Sequence, residues 1–260
     1  MNKKSANLIF ALLSTIFTVG AAQAACTDVT RAQFVTAANQ ALGETAAYGF
    51  GLPMWATMVN ENGRVCHVYS TKGAGVANTG AFAGNNAWLG SRIISAQKAY
   101  SATAFSLNTL ALSTGSVYVA TVPGGSLYGL QHSNPVNAAA AYSFVDGAGI
   151  ARSSADFGTA TDPLVSKIIG GINLFGGGLP LYNAGSVKIG GLGVSGDSSC
   201  RDHVFAWRMR LALAKDFTPN PDALKFVSVA PADLFESPEC AVSPTSTTLL
   251  TTTDPNYGIR

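Results

Sequence analysis

Charge is scarce in this sequence: only 12% of its 260 residues are Asp, Glu, Lys or Arg, and the formal net charge is +2. Without a basic patch or run it has no electrostatic footprint for nucleic acid or anionic lipid. Among 14 acidic residues and three histidines, no paired-carboxylate pattern or Ser/His/Asp order stands out, which leaves an exported hydrolase with little support. No C-x-x-C pair is present, which argues against a zinc site, and no C-x-x-C-H, which excludes ordinary covalent c-type haem attachment. No apolar run reaches the roughly 20 residues needed to span a bilayer. What is abundant is apolar and small: 47% hydrophobic residues and 28 glycines, the composition of a globular chain rather than a disordered one.

The apolar run at residues 8–22 follows Lys3 and Lys4 and ends on Ala22-Gln23-Ala24, an A-x-A cleavage site. This predicts a secretory signal peptide over residues 1–24, with no membrane insertion after cleavage and a periplasmic or secreted product. A lipoprotein anchored at Cys26 is the alternative, but the usual leucine three residues before the cysteine is missing. Loss of the leader lowers the net charge to zero. Cys26, Cys66, Cys200 and Cys240 survive processing, and an even count in an exported chain predicts two disulfides, with three possible connectivities. Each bridge is expected to pin a terminal arm to the core.

Along the chain, Thr30-x-x-Gln33 is a capping box, and Phe34, Ala38, Ala41, Leu42 and Thr45 fall on one helical face. A strand over residues 54–60, the turn signal Asn62-Gly63 and a return strand over 65–70 predict a hairpin. Alternation puts Cys66 and His67 on opposite faces of that return strand, so both can ligate one metal only if the strand breaks. Residues 73–86 form a Gly/Ala-rich loop, and a helix is expected over 87–108. Its Ser95, Ala99, Ala102, Ser106 and Thr109 make a stripe of small residues that permits close approach. Residues 218–260, rich in Pro, Thr and Ser, are expected to run extended over the surface. The coarse pattern is an α+β domain, an antiparallel sheet packed by helices, over residues 25–217.

Residues 176–208 read as strand, turn, strand and helix. The second strand puts Val187, Ile189, Gly191, Gly193 and Ser195 on one face, with Lys188, Gly190, Leu192 and Val194 on the other. So many glycines weaken a strand unless another backbone or a flat ligand must come close. Gly191-Leu192-Gly193-Val194-Ser195-Gly196 fits G-x-G-x-x-G, yet no repeated strand-helix-strand units surround it, so a dinucleotide site is rejected. Ser195 fails as a nucleophile elbow because Asp197 stands where the last glycine is needed.

Taken together, these pieces resemble the GlcG/HbpS family of haem-binding proteins. Gly177-Gly178-Leu179-Pro180-Leu181, then residues 191–196, then Asp202 with Ala206 are similar to its G-G-x-P-(I/L), G-x-(I/L)-G-V-S-G and following aspartate and helix. Residues 98–105, KAYSATAF, look like its K-A-x-x-A/T-A-x-F helix. Met58-Val59-Asn60-Glu61-Asn62-Gly63 resembles V-V-D-x-x-G, with Asn60 where aspartate is usual. The resemblance covers residues 30–105 and 176–214. It implies a profilin-like arrangement, haem as cofactor and a homo-oligomer. Residues 115–175 are an insert longer than the family's usual connection, and loops of that length are often functional.

Haem iron is held by His, Met, Cys or Tyr. His132, in the insert beside Tyr128, is the candidate iron ligand; His67 is a second, weighed against a plain role as a sheet histidine. His203 is expected to cap the last helix or to pair with Asp202. Gly191, Gly193 and Ala99 form a face suited to a flat macrocycle or simply to packing. The reading is therefore an exported haem-binding protein for storage, sensing or slow degradation, with non-enzymatic binding favoured over catalysis. The alternative is an oligomeric binding or structural protein with another planar or corrinoid-like ligand, or none.

Overall fold

A computed structural model describes residues 24–71, 87–228, 230–241 and 254–260. The signal peptide expected over residues 1–24 lies outside these residues except for Ala24, as does the Gly/Ala loop assigned to 73–86. Three longer helices are α1 (Arg31–Glu44), α2 (Gly90–Ala104) and α3 (Ser199–Ala212). The main sheet is antiparallel with order β2-β1-β4-β3: β1 (Trp55–Asn60), β2 (Val65–Ser70), β3 (Gly178–Tyr182) and β4 (Lys188–Ser195).

The sheet carries helices on both faces. Phe34, Ala38 and Ala41 of α1 and Phe205 and Met209 of α3 bury against Met54, Ala56, Met58, Leu192 and Val194. On the opposite face Ile93, Ala96 and Ala99 of α2 pack on Trp55, Val59, Val65 and Val68. The capping box that opens α1 is formed, with Thr30 accepting from Gln33 N–H and Gln33 reaching back. Helix α2 is shorter than the expected 87–108 and starts without a side-chain cap. Beyond it the Ser106 hydroxyl accepts from Leu112 N–H, closing a turn where more helix was expected.

The glycine strand meets the small-residue helix. Gly191 and Gly193 face α2, and a Cβ on either would come within 2.2 Å or 1.9 Å of the carbonyl oxygens of Ala99 and Ser95. Leu192 and Val194 alternate to the other core, as expected. The alternation fails at the start of β4, because the register with β3 shifts between Leu181 and Tyr182. Ile189 then joins the α1/α3 core, and Lys188 turns toward α2 and donates to the carbonyls of Thr103 and Ser106 (2.5 and 2.7 Å). A lysine there satisfies carbonyls left open at a helix end.

A second irregularity corrects the expected opposition of Cys66 and His67. Met58 pairs with His67 but Val59 pairs with Val65, so Cys66 is an extra, bulged residue. Both side chains consequently face the N-terminal arm: Cys66 is bonded to Cys26, and His67 packs against Phe34. The second bridge joins Cys200 and Cys240. Residues 218–260 are more than an extended surface run. Strands β5 (Lys225–Val227) and β6 (Glu236–Pro238) form a parallel pair, and Leu224, Phe226 and Ile259 bury against Cys200 and Val204 of α3.

The insert covers the outer edge of β2 and the end of α2. Val65 N–H donates to Lys167 O and Ser166 N–H to Val65 O, so the insert closes an edge that would otherwise template pairing. Buried Asp162 accepts from the Arg92 guanidinium through both oxygens and ties the insert to α2. Among the described residues no helix is long and apolar enough to cross a membrane.

Candidate functional site

Where α2 ends, the insert leaves a groove of about 670 Å³, within the range of roughly 300–1,000 Å³ common for ligand sites. Tyr100, Ala104 and Phe105 of the helix form its floor; Pro135 and Val136 form one wall, and Ile168, Ile169 and Ile172 the other. Tyr100 is held by its ring edge against Gly63 of the β1–β2 turn, where a Cβ would lie 2.5 Å from the ring. That turn has φ +77 at Gly63, so the glycine of Asn62-Gly63 both makes the hairpin and seats the tyrosine.

The candidate donors fall into three positions. His67 Nε2 lies 2.8 Å from the Val29 carbonyl, and since a carbonyl only accepts, that nitrogen donates. Burial holds its pKa below the ordinary value. His203 is fully buried and neither caps α3 nor pairs with Asp202: Ser198 caps that helix, and His203 Nε2 donates to Gly258 O of the C-terminal segment (3.1 Å). Its pKa is pushed down to about 4, chiefly by burial. His132 is exposed, on the helical turn Leu130–Ser133 that runs directly into the groove wall at Asn134. Neither His132 nor Tyr128, which is 62% exposed, lines the groove itself.

The cysteines, the described methionines and three of the eight tyrosines are committed elsewhere. All four cysteines are in disulfides, and Met54, Met58 and Met209 are fully buried in the α1/α3 core. The hydroxyls of Tyr48, Tyr69 and Tyr182 donate to Asp254, Asn39 and Leu107 O. Of the candidate donors the groove holds Tyr100 alone, while His132 stands outside it, two residues before Asn134 of its wall. The structure does not bring Gly191, Gly193 or Ala99 to a ligand surface. Those three lie in the α2–β4 contact, where backbone already touches backbone and a flat ring has no room between them.

Behind β4 a buried ion pair fixes α2 to α3. Lys98 Nζ donates to Asp202 Oδ2 (2.7 Å) and to Val194 O (3.0 Å), and stands 4.7 Å from the Phe175 ring centroid. Burial lowers the lysine and raises the aspartate to about 6, each opposed by its partner. Asp197, at the end of the glycine strand, accepts from Phe50 and Leu52 N–H and from Arg201. These carboxylates, in the stretch that resembles a family signature, are structural clamps. Tyr100 and Phe105 stand in the KAYSATAF helix without having been singled out as site residues, and the run Ile168-Ile169-Gly170-Gly171-Ile172 went unnoticed, although two glycines inside an isoleucine cluster mark a tight apolar bend.

The architecture defines a class: one antiparallel sheet sandwiched by helices, with a glycine strand under a small-residue helix. The chain belongs to the HbpS-like family, whose model, described as haem degrading protein HbpS-like, matches residues 80–209. Among solved structures the chain is similar to Klebsiella pneumoniae protein ORFY, of family DUF336 (20% identity, 82% of this chain and 97% of that one, TM-score 0.44). It is also similar to the protein of a PduOC:heme complex (20% identity, 71% of this chain and 94% of that one, TM-score 0.43). No curated protein matches the chain.

Proposed function

We propose that this is an exported haem-binding protein that holds the porphyrin in the groove between the end of α2 and the insert, with His132 as the iron ligand. The observation that carries the reading is the pairing of that groove, walled by isoleucines and backed by Tyr100 and Phe105, with the one histidine left uncommitted near its wall, in a chain of the HbpS-like family. The residues fit the group. The isoleucines, Val136 and Phe105 suit a porphyrin face, Tyr100 offers a phenol, and among the described residues no lysine or arginine lines the groove to pair with the propionates. Haem bound there would supply the redox chemistry, and the groove's isoleucines, Val136, Tyr100 and Phe105 would hold it, with His132 offering a nitrogen to the iron.

Two disulfides suit an oxidising compartment, which supports export. The insert also exposes Leu127, Tyr128, Tyr142, Phe144 and Ile150, and this apolar surface favours a homo-oligomer. Hemin titration tests the main reading: a saturable Soret shift at one haem per chain is expected, lost or strongly altered in His132→Ala. An unchanged spectrum in that variant would reject His132, and no shift in natively folded protein would reject haem.

A further inference from the structure

A second cavity lies at the opposite end of α2, and its chemistry differs from that of the groove. It measures about 350 Å³ and is walled by Leu89 and Ile93 of the helix start and by Tyr142, Phe144 and Phe157 of the insert. Phe144 and Phe157 stack almost parallel, with ring centroids 5.8 Å apart and planes 9° from each other. The Arg92 guanidinium lies 4.0 Å from the Phe157 ring centroid, so cation and rings form one layered wall.

The charge accounting narrows what can enter. Among the described residues Arg92 is the one charged residue in the lining, and its Nε and Nη2 both donate to buried Asp162. Asp162 also accepts from Gly158 and Leu164 N–H. The charge of Arg92 is neutralised by Asp162 at two of its three nitrogens, so an anion or cation placed in the cavity would gain little net attraction for the hydration it loses. Ser143 Oγ accepts from Val145 N–H and donates to Val145 O, so it too is occupied. The Tyr142 hydroxyl hydrogen-bonds no described residue, and its side chain is 65% exposed at the rim.

We infer that this cavity is a binding site for an uncharged aromatic molecule of one or two fused rings, seated against the Phe144–Phe157 stack with any single polar edge toward Tyr142. The volume sets the size, the Arg92–Asp162 pair sets the neutrality, and the parallel rings set the flat shape. The insert supplies three of the five apolar walls and the start of α2 the other two, so the site depends on this chain's long connection. It stands independently of the haem reading.

Calorimetric titration of the full mature chain with indole tests it. One saturable site per chain is expected, weakened at least about tenfold in Phe144→Ala and abolished in Leu89→Trp, which fills the cavity from its rim. Both positions are half exposed, so the variants should keep the wild-type circular dichroism and melting temperature, and hemin binding should be unchanged. Absence of saturable indole binding to wild type, or equal binding by wild type and Leu89→Trp, would overturn the assignment. Loss of hemin binding in wild type with indole binding intact would reject the haem groove and leave this site standing.

Discussion

Gly193 lies beneath Ser95 so closely that a Cβ added to it would stand 1.9 Å from the Ser95 carbonyl oxygen. The obstacle is helix backbone, which cannot rotate aside as a side chain would. Gly193→Ala must therefore lift α2 from the sheet, and overpacking of this kind costs roughly 1–3 kcal/mol or more. Urea unfolding is expected to show a loss at or above the top of that range. Gly185→Ala, in an exposed turn with nothing nearer than 3.4 Å, should change stability by less than about 0.5 kcal/mol. Equal effects at the two glycines would contradict the close-contact account.

Lys98 and Asp202 are both buried and joined at 2.7 Å. Removing one partner strands a charge in the interior, so Lys98→Met is expected to cost about 3–5 kcal/mol. Adding Asp202→Leu to Lys98→Met should recover most of that loss, because the stranded charge goes with it. A double-mutant cycle in urea reads both outcomes, and additive losses would mean the pair is not coupled.

Asp202 and His203 are neighbours with opposite pH signatures. Burial raises Asp202 to about 6, against the opposing pull of Lys98. Unfolded, it titrates near about 3.9, so between these values the folded state holds the extra proton and stability falls as pH rises. Burial lowers His203 to about 4, with the Gly258 carbonyl opposing. Unfolded it titrates near about 6.5, so in that window the unfolded state holds the extra proton and stability rises with pH. The two terms oppose each other in wild type. Asp202→Asn should steepen the rise of stability between about pH 4.5 and 6.5, and His203→Gln should flatten or invert it. Urea midpoints across the window check this, and slopes unchanged from wild type in both variants would contradict it.

Much of the scaffold was legible because its signals are local. Thr30 with Gln33, Asn62-Gly63 and the spacing of Ser95, Ala99 and Ala102 each act within a few residues; α1 and the hairpin stand where expected, and α2 falls within its expected span but ends short of it. Side-chain size left two readings of Gly191 and Gly193, close packing or a flat ligand, and the contact with α2 is the packing one. What could not be read depended on register or on distant partners. The bulge at Cys66 turned its neighbour to the same arm, and Gly258 claimed His203 from 55 residues away. The groove joins Tyr100 to residues 134–137 and 168–172, and no local pattern links such segments.

Ala104 is exposed on the floor of the groove, so Ala104→Trp can fill the site without disturbing the core. Hemin titration of this variant beside wild type, followed in the Soret band with melting temperature as a fold control, is the most direct test of the haem assignment. The account predicts saturation at one haem per chain in wild type and at least about tenfold weaker binding in Ala104→Trp at unchanged stability. Wild-type affinity in the filled variant would contradict it.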